Sequence, residues 1–205
     1  MTQLRNRSDA GQAFPIYIMV VAGLLFLAFA YLAVGQAAAN RNGAQTAADA
    51  AALAAAQDTR DQLADMWAKD LLDPTRWQDI FDGVAPGVVN SCWRAYDLAA
   101  QNDATGQCEP LGFLSYRFEA QTNKPVGDSI VPGTENKRAK ADATAVIEPL
   151  CEPELPGENA GDDALPQLSC KDNKNWTLDP DDPTTLPEPE DLFDVHLADG
   201  PANDE

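Results

Sequence analysis

The order of apolar and polar positions divides the chain into an apolar start, an alanine-rich middle and a short-signalled, acidic remainder. From Gln12 to Asn40 no residue carries a formal charge, and Ile16 to Val34 (IYIMVVAGLLFLAFAYLAV) is almost wholly apolar. At about 1.5 Å per residue this apolar run makes a helix about 28 Å long, close to the roughly 30 Å hydrocarbon layer of a bilayer. Tyr17 and Tyr31 stand near its ends, where amphipathic rings favour the membrane interface. Pro15 falls at the entry, where a helix has no use for its missing N–H. The pattern predicts a transmembrane helix over 14–39, preceded by a short leader over 1–13.

The second stretch, 40–73, contains no proline and is dominated by Ala, Leu, Gln and Asp. Alanine is the best helix former, so the helix is expected to continue. Asp73-Pro74 stops it, because the residue before a proline is pushed out of the α region. Ala44, Ala47, Ala48, Ala51, Ala52 and Ala55 form a band without bulk, suited to close approach by another helix. Further on, Ala56, Leu63, Trp67 and Leu71 recur at helical spacing, a stripe suited to cradling a domain.

Beyond Pro74 the signals are short. Ser91 is placed to cap a helix running to Gln101; Leu111 to Ala120 and Ala139 to Ile147 read as strands. The alternation in the second gives one small-residue face (Ala141, Ala143, Ala145). Together they predict a small α+β domain with an antiparallel pairing over 74–170. From 171 to 205 the chain is rich in proline and acid and too poor in apolar residues to fold alone, so a disordered tail is expected. Leu192, Phe193 and Val195 are a small apolar island within it.

Composition adds compartment and partners. The formal net charge is −19, and residues 148–205 hold 17 acidic residues against Lys171 and Lys174. Such a surface argues against nucleic acid as a partner. Arg5 and Arg7 precede the apolar helix and only Arg41 follows it closely, which favours a cytoplasmic N-terminus and an extracytoplasmic domain. All four cysteines (Cys92, Cys108, Cys151, Cys170) lie after the helix, an even number suited to an oxidising compartment. Four cysteines permit three pairings; Cys92–Cys108 and Cys151–Cys170, closing loops of about 15 and 18 residues, are favoured. A cleavable signal ending at Ala37-Ala38-Ala39 is the competing reading, but its apolar core would exceed the usual 7 to 15 residues.

Catalytic chemistry finds no footing. The one histidine, His196, sits in the acidic tail, and no nucleophile elbow, zinc-protease motif or phosphate-binding loop is present. No metal site, cofactor, small-molecule substrate or enzymatic activity is expected.

A basic leader, the Gly11-Gln12-Ala13 junction, the apolar helix and the run from Arg41 to Ala56 (RNGAQTAADAAALAAA) resemble Tad-type (Flp, tight-adherence) pilus-assembly proteins of the TadE/TadG-like class. The resemblance covers residues 9 to 57. It implies a single-pass, non-enzymatic pseudopilin or minor pilin-like protein whose partners are the bilayer and other pilin-like helices. The prepilin pattern of such proteins implies cleavage after Gly11, making Gln12 the first mature residue. The fifth mature position is then Ile16 where Glu is usual, so the uncut TadG-like proteins are the nearer analogue. Cleavage after Gly11, cleavage after Ala39 and no cleavage stay open. The competing function is an acidic envelope module that binds divalent cations or a wall component.

Overall fold

The computed structural model describes residues 13–125, 136–154, 165, 167–171, 174–176, 178–179, 182 and 185–198. The leader through Gln12, including Gly11, lies outside them.

The helix α1 runs unbroken over Ala13–Lys69. Pro15 sits in its first turn, and Gly23, Gly35 and Gly43 are carried within it. The expected stop is met one turn early: Pro74–Arg76 forms a 3-10 turn leading into the short helix α2, Trp77–Phe81. Helix α3 spans Cys92–Gln101. Among the described residues seven strands follow: β1 Ala104–Pro110, β2 Ser115–Thr122, β3 Lys140–Pro149, β4 Cys151–Glu154, β5 Gln167–Cys170, β6 Lys174–Trp176 and β7 Phe193–Leu197. A single turn of helix, α4 Pro189–Leu192, immediately precedes β7.

The main sheet has the order β1-β2-β3-β7, every pair antiparallel. A smaller antiparallel sheet, β4-β5-β6, sits beside it. One face of the main sheet lies on α1, and α3 packs along the same helix. The buried face carries Tyr116, Phe118 and Ala120 from β2, Ala143, Ala145 and Ile147 from β3, and Phe193 from β7. The small-residue face expected of the second strand is therefore the one turned inward.

The second expected strand starts and ends within two residues of β3. The first is displaced: Leu111 to Leu114 form a turn instead, with Gly112 at φ +87 and Leu111 N–H bonded to Ser115 O at 2.9 Å. Both favoured disulfides are present. Cys92–Cys108 ties the start of α3 to β1, and Cys151–Cys170 joins directly opposed residues of β4 and β5.

The expected disordered tail is corrected over its last described part. Pro189–Leu197 is folded, Leu192 and Phe193 are fully buried, and β7 completes the main sheet against β3. Composition misled because the whole tail is too polar to fold alone, whereas five residues of strand need only a waiting sheet edge and a groove for two side chains. The folded unit accordingly draws on α1 before residue 74 and on β7 after residue 170.

Candidate functional site

The chemistry of this chain resides in α1, whose two halves meet different surroundings. From Phe14 to Gly43 no side chain is buried by the protein, although large apolar groups such as Phe14, Met19, Phe26, Leu27 and Tyr31 cover the surface. The most apolar 18-residue window has a mean hydropathy of 2.5 and none of it is buried. A soluble core helix of this composition would be covered by its own protein. α1 is the one helix among the described residues long and apolar enough to cross a membrane. Its bareness leaves the lipid as the natural cover.

At Ala44 the surroundings change. Ala44, Ala47, Ala48, Ala51, Ala52 and Ala55 are all fully buried, as is Ala56. The chain's own sheet and α3 pack against this part of α1. A helix face without bulk meets a sheet face that is equally small at Ala120, Ala143 and Ala145, so backbone approaches backbone. Close packing of many weakly attractive atom pairs is what such an interface offers.

Further along, side chains grow as the gap opens. Leu63, Trp67 and Leu71 fill it, the Trp67 and Trp77 rings lying 5.5 Å apart and Phe81 meeting Phe193 at 5.4 Å. The expected cradle is thus real, and the apolar island of the tail closes it.

Between the small and the large regions stands one buried polar cluster. Thr59 Oγ1 lies 2.8 Å from Ser91 Oγ and donates to the Tyr116 hydroxyl at 2.9 Å. Gln62, one turn on, donates to Ser91 Oγ at 3.0 Å and accepts from Val89 N–H at 2.8 Å. Ser91 was expected to cap α3 with its side chain; it occupies the N-cap position, but its hydroxyl serves α1 instead. The cluster fixes α1 against both α3 and β2 at one height.

His196 lies on β7, exposed, with Nδ1 2.8 Å from Asp194 Oδ2. Its nearest facing carboxylate on β3 is Glu148, which is ion-paired with Lys171. The sequence marks His196 only as a lone histidine in an acidic tail and does not mark Glu148, because strand pairing in the tail is needed to bring them together.

The arrangement defines a class: a small disulfide-bonded α+β domain built around the far half of a helix whose near half suits a bilayer. Residues 11–58 match the family model for Flp pilus-assembly TadE/G-like proteins (Tad). The match takes in the whole bare half of α1 and the buried alanine band. No curated protein matches this chain, and no solved structure does.

Proposed function

We propose that this is a non-enzymatic, single-pass membrane protein that assists assembly of a Flp-type pilus in the manner of a pseudopilin or minor pilin. Its N-terminus is cytoplasmic and its domain extracytoplasmic. The observation that carries the reading is the coincidence of the family match with the change in surroundings along α1. The matched segment spans both the lipid-suited half and the alanine band that seats the domain. Arg5 and Arg7 before the apolar run supply the orientation, and two disulfides suit an oxidising exterior.

Since the alanine band is covered by the chain's own sheet, pilin-like partners have the outer half of α1 between Phe14 and Gly43 to work with. Packing between helices in lipid depends on shape and close contact. Two measurements test the reading. Protease added to intact protoplasts should digest the domain while an N-terminal tag survives. Deleting the gene in its host should abolish surface pili, and the wild-type chain should restore them. A protected domain would overturn the orientation, and pili of normal number in the deletion strain would overturn the role in assembly.

A further inference from the structure

Three side chains, one of them far from the other two in the sequence, converge on the outward face of the main sheet. Glu148 of β3 stands directly opposite Asp194 of β7, and His196 follows two residues on, on the same face. Side chains two apart on a strand share a face, and direct cross-strand neighbours lie about 5 Å apart at Cβ. One ligand atom from each of the three lies within 4.8 Å of the others. Two carboxylates placed opposite each other repel, which weakens a strand pair unless a cation lies close. Here Lys171 pairs with Glu148, and His196 Nδ1 lies 2.8 Å from Asp194 Oδ2.

From this placement we infer that Glu148, Asp194 and His196 form a binding site for a divalent transition ion of the zinc class. Two carboxylate oxygens and one imidazole nitrogen on a sheet suit zinc or nickel, with water completing the coordination. Calcium prefers six to eight oxygens, and magnesium keeps most of its water, so neither fits a three-ligand set containing nitrogen. Bound zinc holds its ligands at about 2.0–2.2 Å. The donors must therefore close by about 1 Å, which exposed side chains can do by changing rotamer. Glu148 must also exchange Lys171 for the ion.

The site has a structural consequence, since it bridges the last strand to the body of the sheet. An ion there would fasten β7 and the buried Leu192 and Phe193 behind it. Competing soft ligands are few. His196 is the sole histidine of the chain, and all four cysteines are engaged in disulfides.

The test titrates the full-length chain, purified in detergent micelles without a histidine tag, with ZnCl2 by calorimetry, and with CaCl2 in parallel. One zinc should bind per chain and raise the melting temperature, while calcium gives no saturable heat. His196→Ala should weaken zinc binding by at least about tenfold. Lys171→Ala should strengthen it, because Glu148 loses its resident partner. Both side chains are exposed, and circular dichroism verifies that each variant keeps its fold. Unchanged zinc affinity in His196→Ala, or equal binding of calcium, would reduce the cluster to general acidic attraction and overturn the inference.

Discussion

Thr59 is the fully buried polar residue that α1 contributes to the core, and its hydroxyl serves Ser91 and Tyr116 at once. Thr59→Val keeps the shape and removes both bonds, leaving two buried hydroxyls short of a partner. Removing one side of a buried hydrogen bond costs about 1–3 kcal/mol. Adding Tyr116→Phe deletes one of the two hydroxyls left a bond short, so the double variant should lose less stability than the two single variants together. Thermal melting of the micelle-bound chain measures this. Strict additivity would mean that the hydroxyls act independently. Gly106 illustrates a different constraint at the same scale. A Cβ at this position would lie 2.1 Å from Glu119 O, so β1 approaches β2 more closely there than any side chain permits. A lone glycine in a strand signals such an approach, yet β1 itself was not foreseen. Its sequence, ATGQCEP, alternates small Ala104, Gly106 and Cys108 with polar Thr105, Gln107 and Glu109 but carries no bulky apolar side chain, and only its first residue, Ala104, is fully buried.

Among the elements, α1 was legible because its two determinants are local. An uncharged run of membrane length and a proline-free alanine run each imply a helix without knowledge of the fold. The partner of the alanine band was not legible, because a small face says how closely something approaches and not what approaches. The structure turns that into a contrast between halves of one helix. Ala48→Leu and Ala51→Leu insert bulk between helix and sheet, and overpacking of this kind costs about 1–3 kcal/mol. Ala28→Leu lies on the exposed half and should leave the melting temperature unchanged. Equal tolerance at all three positions would show that the sheet does not seat on the band. The small sheet β4-β5-β6 was equally hidden, since strands of three or four mostly polar residues carry no periodic signal. Cys151 and Cys170, directly opposite each other, hold its first pair together covalently.

At the scale of the whole molecule, the last described strand closes what the first helix opens. A chain ending at Leu186 would lose Leu192 and Phe193 from the core and leave β3 as an unpaired edge. Full burial of two such side chains stabilises by about 3–6 kcal/mol, a large share of the roughly 5–15 kcal/mol typical of a domain. The truncated protein should therefore lose its cooperative thermal transition, followed by near-ultraviolet circular dichroism. A sharp melt at the wild-type temperature would show β7 to be an ornament on an independent core. The net charge of −19 hid this closing role, since the two decisive residues are only a small part of an acidic tail. The unbroken course of α1 from bare surface to buried core carries one more consequence. Each helical residue turns the chain by about 100° and advances it about 1.5 Å. The domain's heading about the membrane normal is thus set by a count of residues between Val34 and Ala44. One alanine inserted there would swing the whole domain by more than a quarter turn and leave its fold intact. On the proposed role in pilus assembly, the side turned to a growing filament would thereby be aimed like a key cut on its own shaft.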